Sequence, residues 1–205
     1  MRPVTGVLLA AGAGRRFGVH RGAHKLLQPL PGGEPVGVAA GRNLIAAIPD
    51  SIAVVRAGDL ALAAALGAIG LRIVEHPRAD GGLGTSLAAG VSATPDAVGW
   101  LIALGDMPWV QPETILTLTE ALAAGASLVA PLYAGRRGHP VGFASPWRDR
   151  LMTLKGDRGA RDLIAAHEDQ LLLLTTKDPG LLLDVDAPAD LERHGSINRG
   201  AEPGD

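Results

Sequence analysis

The sequence predicts an α/β protein in which a mostly parallel central sheet lies between two layers of helices. Short apolar runs alternate along the chain with segments of helical length, which is the pattern of strands joined by crossover helices. Apolar types make up 47% of the residues, enough for a buried core. The 28 glycines and 15 prolines are spread between these segments and form no low-complexity block.

The strands and helices are assigned in chain order from these runs. Strands are predicted at 4–10, 52–55, 71–74, 99–104, 127–130, 140–144, 171–175 and 181–185. Helices are predicted at 35–48, 60–68, 86–93, 112–124, 147–154 and 159–167. With 205 residues and no internal linker, we expect one domain over 1–195 and a flexible tail at 196–205.

Composition excludes several classes of protein. The 19 Lys and Arg against 21 Asp and Glu give a net charge of −2, which argues against a nucleic-acid surface. The absence of cysteine excludes disulfides, a thiolate nucleophile and cysteine-ligated zinc. The near-continuous apolar run at 60–71 is shorter than the roughly 20 residues of a membrane helix. The N-terminal apolar run has its arginine pair behind it, unlike a signal peptide, so we expect a cytoplasmic protein.

A glycine-rich loop, LLAAGAGRRFG at 8–18, follows the first predicted strand. Ligands of such sheets bind beyond the carboxyl ends of the strands, and glycines let backbone N–H groups approach phosphate oxygens. The dinucleotide fingerprint G-x-G-x-x-G fails because Phe17 stands where its third glycine is required. The P-loop motif fails because Val19 and His20 follow Gly18. The residues alone leave a phosphate loop and a plain strand-to-helix turn open.

Two acidic segments fall at predicted strand ends. Asp106 follows the run at 99–104, and Pro108 fixes the turn behind it. Alternation along the predicted strand at 181–185 would place Asp184 and Asp186 on one face, while Asp190 suits the cap of a following helix. Mg²⁺ takes one or two carboxylates together with phosphate oxygens. A strand-end charge for Asp184 and a helix cap for Asp186 are the alternatives.

The pattern A-A-G-x-G-x-R-x-G followed by a lysine resembles the opening of the molybdenum cofactor cytidylyltransferases. The resemblance runs from about residue 7 to 192 and implies a Rossmann-like sheet of the nucleotide-diphospho-sugar transferase type. It implies that the loop wraps a triphosphate and that an arginine and a lysine contact phosphates, the matching positions being Leu9, Ala10, Ala11, Gly12, Gly14, Arg16 and Lys25. Lys25 lies seven residues after Gly18 instead of the family's three or so, which leaves Arg21 and His24 as alternatives.

The same resemblance implies the remaining parts of the site. Asp106 and Asp186 would hold Mg²⁺, with Mn²⁺ as an alternative, and the element containing Gly84, Thr85 and Ser86 would lie against the nucleobase. From residue types alone, that element is an ordinary helix N-cap. The family's R-G-H-P-V and G-D-x-G-A-R elements would border a pterin acceptor, here Arg137, Gly138, His139, Pro140, Asp157, Gly159 and Arg161. A surface arginine for Arg137 and a helix-start residue for Asp157 stay open.

The resemblance therefore implies transfer of CMP from CTP to the terminal phosphate of molybdopterin, with pyrophosphate released. Arg16, Lys25 and Asp106 would be the catalytic residues. A molybdoenzyme or its maturation chaperone is the expected macromolecular partner, and neither nucleic acid nor a membrane is expected. Another base such as GTP, another acceptor such as a sugar phosphate, and a non-catalytic molybdenum cofactor carrier are the alternatives.

Overall fold

A central sheet of eight strands organises the chain, which the computed structural model describes over residues 3–12 and 24–194. Seven of its strands overlap the predicted apolar runs, and every residue of the first run is buried, whereas the short strand at 136–137 is exposed and was not predicted. The strands are β1 (Val4–Ala10), β2 (Ser51–Arg56), β3 (Arg72–His76), β4 (Gly99–Leu104), β5 (Leu128–Tyr133), β6 (Arg136–Arg137), β7 (Val141–Ala144) and β8 (Leu171–Thr175).

Helices connect these strands and cover both faces of the sheet. They are α1 (Val36–Ala47), α2 (Leu60–Ala68), α3 (Leu83–Ser92), α4 (Pro112–Ala123), α5 (Arg148–Met152), α6 (Arg161–Ala165) and α7 (Pro188–His194). One apolar core joins the sheet to α1, α2 and α4, and a second joins it to α3, α5 and α6. Successive side chains of β1 point to opposite faces of the sheet, so Leu8 belongs to the first core and Val7 to the second. The predicted three-layer α/β fold is confirmed.

The sheet is parallel over its first four strands and mixed beyond them. β3, β2, β1 and β4 are neighbours in that order and run parallel, as the crossover pattern predicts. β7 is antiparallel to both β4 and β5, and β8 is parallel to β5. The parallel strands β1 and β4 therefore end side by side, and the loops that follow them meet at one edge.

Two predicted elements need correction. The strand predicted at 181–185 is wrong, because Pro179–Leu182 forms a 3₁₀ turn and the residues up to Asp186 form no strand. The Asp178 side chain accepts a hydrogen bond from the Gly180 N–H and starts that turn. The helix predicted at 86–93 begins at Leu83, because Gly82 adopts φ +86° and acts as its N-cap.

None of the helices within the described ranges combines the length and the apolar composition that crossing a membrane requires.

Candidate active site

The candidate site lies beyond the carboxyl ends of β1 and β4. Asp106 is in the turn after β4, and two backbone hydrogen bonds hold this turn in place. The Gly105 N–H donates to the Leu9 carbonyl at 3.0 Å, and the Val185 N–H donates to the Asp106 carbonyl at 2.8 Å. The first joins the turn to β1, and the second joins it to the segment that carries Asp186.

Lys25 links the two predicted metal carboxylates. Its Nζ lies 2.8 Å from Asp106 Oδ2 and 3.2 Å from Asp186 Oδ1, and its side chain is 11% exposed. His24 is held elsewhere, because its Nε2 lies 2.6 Å from Asp59 Oδ2 and its Nδ1 accepts from the Leu26 N–H. Of the two described alternatives for the phosphate-contacting cation, Lys25 is the one placed at the carboxylates; the third, Arg21, lies outside the described residues.

The electrostatics of the site favour bound positive charge. Burial acts to lower the pKa of Lys25, but its ion pairs and hydrogen bonds with Asp106 and Asp186 outweigh burial and raise that pKa. Loss of solvent, followed by the nearby Asp186 and Asp106 carboxylates, raises the pKa of Asp184. A lysine ammonium is therefore held among three carboxyl groups that repel one another.

These residues also fit the divalent metal that the resemblance implies. Asp106 and Asp186 direct carboxylate oxygens at one cation, the Lys25 ammonium, and carboxylate oxygens are the ligands that Mg²⁺ and Mn²⁺ prefer. In the described part of the chain no group of three or more His, Asp or Glu side chains is arranged to hold a metal ion. Two carboxylates with the remaining positions left to phosphate oxygens and water are the arrangement typical of Mg²⁺ in nucleotide sites.

The glycine-rich start of α3 packs against the turn at 155–157. The Gly84 N–H donates to the Gly156 carbonyl at 2.8 Å, and the Gly156 N–H donates to the Gly81 carbonyl at 2.9 Å. A Cβ on Gly84 would lie 2.8 Å from backbone atoms of Lys155. The glycine is therefore required for this close approach.

The hydroxyl groups of Thr85 and Ser86 are not N-caps, so that interpretation is wrong. Both donate to the Gly82 carbonyl, at 2.9 Å from Thr85 and 3.4 Å from Ser86, because both residues lie inside the first turn of the helix. Thr85 Oγ1 also lies 3.1 Å from His76 Nε2. The pKa of His76 is lowered by burial and then by the charge of Arg78. Sequence reasoning gave His76 no role, although its position at the end of β3 was a usable signal.

A two-residue bulge carries His139 and Pro140. β6 and β7 both run antiparallel to β5 along one edge, because β8 occupies the other edge opposite the same β5 residues. Arg137 pairs with Leu132, yet Gly142 pairs with Val129, so the register shifts by two residues between them. Bulges beside active sites commonly redirect a side chain. The peptide bond between the two bulge residues is cis.

A cavity of about 300 Å³ lies beside the bulge. Its wall combines apolar side chains with His139 and arginines, the full set being Leu9, Leu83, Leu87, Ile102, Leu104, Arg137, Gly138, His139, Val141, Phe143, Arg158, Ala160, Arg161 and Ile164. Four predicted acceptor residues thus line one cavity: Arg137, Gly138, His139 and Arg161. Pro140, Asp157 and Gly159 do not line it. Asp157 and Gly159 pack instead against Gly82 and Leu83 at the start of α3.

His139 has a nitrogen without a hydrogen-bond partner. Among the buried side-chain nitrogen and oxygen atoms of the described residues, its Nδ1 is the one that makes no hydrogen bond. Burial lowers the pKa of His139, against the opposing effect of the Asp106 carboxylate. Buried polar atoms are normally paired, so a neutral, unpaired imidazole nitrogen in a cavity wall is suited to contact a ligand.

Gly138 is required for steric reasons. A Cβ there would lie 2.1 Å from Leu181 Cδ1 and 2.2 Å from the Leu181 carbonyl oxygen. We expect Gly138→Ala to lower the free energy of unfolding by about 1–3 kcal/mol, the usual effect of overpacking, as measured by urea denaturation. Gly32→Ala is the control, since a Cβ at Gly32 meets nothing within 4 Å. Equal stability of the two variants would contradict this account.

Comparison with known proteins identifies relatives over most of the chain. A family profile described as "MobA-like NTP transferase domain" matches residues 6–171. The chain is 33% identical to nicotine blue oxidoreductase of Paenarthrobacter nicotinovorans over 198 residues, which covers 93% of this chain and 95% of that protein.

Solved structures extend this likeness. The manganese complex of Rv0371c from Mycobacterium tuberculosis is similar with a TM-score of 0.76 and 28% identity, covering 93% of this chain and 97% of that one. A nucleotidyl transferase from Methanothermobacter is similar with a TM-score of 0.80 and 25% identity, covering 98% and 100% of the respective chains. The chain belongs to the MobA-like NTP transferase family and is a nucleotidyltransferase of that family.

Proposed function

We propose that this nucleotidyltransferase transfers CMP from CTP to the terminal phosphate of molybdopterin and releases pyrophosphate, in a reaction that requires Mg²⁺ or Mn²⁺. The observation that carries the proposal is the contact of Lys25 Nζ with both Asp106 and Asp186. This contact brings together one cationic side chain and two carboxylates, which are the groups required to bind a triphosphate and its metal ion. The cytidylyl branch rests on the Ala10-Ala11-Gly12 sequence.

The proposed reaction needs no general base from the protein. An oxygen of the acceptor phosphate, ionised at neutral pH, attacks the α-phosphorus of CTP while the bond from that phosphorus to the bridging oxygen breaks. Pyrophosphate leaves with the bonding electron pair. Lys25 stabilises the negative charge that develops on the leaving group, and catalysis rests on in-line positioning and charge neutralisation.

Asp106 and Asp186 have a second task in this proposal. They would hold the divalent cation, which would supply positive charge to the phosphates of CTP. With the carboxylates occupied in this way, the flexible side chain of Lys25 would be available to contact the phosphates. Gly14 and Arg16, also assigned to the triphosphate, lie outside the described residues and keep these roles as part of the proposal.

The cavity beside the bulge is proposed as the acceptor site. Its apolar wall suits a flat organic body, and Arg137, Arg158 and Arg161 suit an anionic group, since arginine can bind phosphate through two hydrogen bonds. His139 Nδ1 would offer a hydrogen bond to a polar edge of the same body. This combination supports a phosphorylated heterocycle over a small sugar phosphate.

Nucleotide choice is tested by thermal unfolding with CTP, GTP, ATP and UTP, each with and without Mg²⁺ or Mn²⁺. A ligand at about 100 times its Kd adds about 2.7 kcal/mol to the free energy of unfolding and raises the midpoint. We expect stabilisation by CTP with metal. A response to GTP instead would indicate guanylyl transfer, and no response to any nucleotide would favour a cofactor carrier.

The name of the Paenarthrobacter relative adds an oxidoreductase to the activities worth testing. The same preparation is assayed for oxidation of NADH and NADPH in the presence of candidate acceptors. We expect none, because Phe17 replaces the third glycine of the dinucleotide fingerprint. Steady oxidation without pyrophosphate release would replace the proposed transfer with redox chemistry.

The acceptor assignment predicts a difference between two adjacent arginines. Arg137 lines the cavity and Arg136 does not, although both are exposed residues of β6. We expect Arg137→Ala to raise the KM for the phosphorylated acceptor about ten-fold, the effect of losing one charge-assisted contact. The KM for CTP should stay at its wild-type value. An equal rise in the acceptor KM for Arg136→Ala would indicate a general charge effect instead of a site contact.

A further inference from the structure

Asp178 is almost fully buried, with 1% of its surface exposed, and sequence reasoning gave it no role. Its Oδ2 accepts hydrogen bonds from the Gln111 N–H at 2.8 Å and the Thr114 hydroxyl at 2.9 Å. Its Oδ1 accepts from the Gly180 N–H at 2.8 Å. A buried carboxylate is costly unless several donors satisfy it, and here three do.

These three donors belong to two separate segments. Gln111 and Thr114 form the start of α4, which follows directly on the turn that carries Asp106. Gly180 belongs to residues 178–186, which we call the C-terminal strap and which end at Asp186. A Cβ on Gly180 would lie 2.0 Å from the Trp109 carbonyl oxygen, so the strap lies directly on the segment between Asp106 and α4.

The C-terminal strap then contacts the other parts of the site. The Leu181 carbonyl accepts from the His139 N–H at 3.1 Å, which ties the strap to the bulge. The Val185 N–H donates to the Asp106 carbonyl at 2.8 Å. At the end of the strap, Asp190 Oδ2 accepts from the Asp186 N–H at 3.0 Å. The segment therefore touches the turn of Asp106 and the bulge of His139 before it presents Asp186.

We propose that Asp178 is a positioning residue that fixes the C-terminal strap and thereby sets the relative placement of Asp106, Asp186 and His139. The effect of Asp178 on metal binding rests on the proposed function, whereas its effect on the position of the strap does not. An asparagine has the same shape but only one acceptor oxygen, so it cannot accept from all three donors. Asp178→Asn therefore loses part of the hydrogen bonding that joins the strap to the start of α4.

The test compares Asp178→Asn with Thr94→Val. Thr94 is also buried and makes internal hydrogen bonds, from Trp100 Nε1 at 2.8 Å and to the Gly90 carbonyl at 2.9 Å, but it contacts no part of the strap. Both variants lose stability, so the control separates a general effect from a local one. Thr114→Val removes one donor to Asp178 and supplies a milder variant if Asp178→Asn does not fold.

Amide hydrogen exchange is measured at His139 and Val185, whose N–H groups bond across the strap. After correction for global stability, we expect about ten-fold faster exchange at both in Asp178→Asn, and none of this increase in Thr94→Val. Mn²⁺ binding in the presence of CTP, followed by electron paramagnetic resonance, should weaken about ten-fold in Asp178→Asn alone. For the milder variant, smaller changes in the same two measurements are expected.

Exchange at His139 and Val185 that matches the Thr94→Val control would overturn the positioning role. Faster exchange with unchanged Mn²⁺ affinity would also overturn it, because the strap would then move without moving the carboxylates. Absence of Mn²⁺ binding by the wild-type protein would remove the proposed metal site. The exchange comparison would still decide whether Asp178 fixes the strap.

Discussion

Replacing Asp106 by Asn is expected to lower kcat for pyrophosphate release by about 100-fold or more. The asparagine keeps the shape of the side chain but removes the charge that faces Lys25 Nζ at 2.8 Å. With that charge gone, the metal loses one of its two proposed protein ligands, and Lys25 loses its shorter ion pair. Both effects reduce stabilisation of charge in the transition state.

The matched control for this variant is Asp169→Asn. Asp169 is an exposed aspartate next to the start of β8, at the opposite end of the strands from Asp106. It should retain wild-type turnover, and both variants should unfold as cooperatively as the wild-type protein. A ten-fold change in turnover corresponds to about 1.4 kcal/mol of activation free energy. Turnover of Asp106→Asn within about two-fold of wild type would therefore remove Asp106 from the mechanism.

Replacing Lys25 by Met is expected to lower kcat/KM for CTP by about 100-fold, because charge-assisted phosphate contacts are among the strongest hydrogen bonds. The methionine keeps much of the apolar stem. Without nucleotide, the same variant should bind Mn²⁺ more tightly than the wild-type protein, since the ammonium no longer competes for Asp106 and Asp186. Lower activity combined with tighter metal binding is a signature that unfolding would not produce.

The ion pairs of Lys25 also give this variant a pH signature. Because the folded-state pKa of Lys25 is raised, its ion pairs stabilise the protein below the ordinary lysine pKa of about 10.4. That contribution is lost as pH rises through the higher folded-state pKa. The wild-type protein should therefore lose more stability than Lys25→Met in this alkaline range. Parallel stability curves for the two proteins, measured by urea denaturation, would contradict the ion-pair assignment.

Local sequence patterns predicted the centre of the sheet because β1, β2 and β4 are buried over nearly their whole length. The bounds of β1, β4 and β8 match the predicted runs. The position of Asp106 followed from the same reasoning, because it stands directly behind one of these runs. Its contact with Lys25, 81 residues earlier in the chain, depends on β1 and β4 being neighbours.

Features that depend on distant pairing were not predictable. The bulge of His139 arises from a register shift between strands, and no local pattern encodes that shift. The C-terminal strap resembles a strand in composition, yet the buried Asp178 and the close approach of Gly180 to Trp109 make it a turn. Asp184 and Asp186 therefore do not share a strand face, and Asp186 reaches Lys25 through the strap.

We propose that this protein transfers CMP from CTP to the terminal phosphate of molybdopterin. The most direct measurement incubates the protein with CTP, Mg²⁺ and molybdopterin, and follows pyrophosphate and the product by phosphorus NMR and mass spectrometry. We predict equal amounts of pyrophosphate and of a product enlarged by one CMP unit, with neither formed by Asp106→Asn. Pyrophosphate and product formed only with GTP, or only with another phosphate acceptor, would contradict this account.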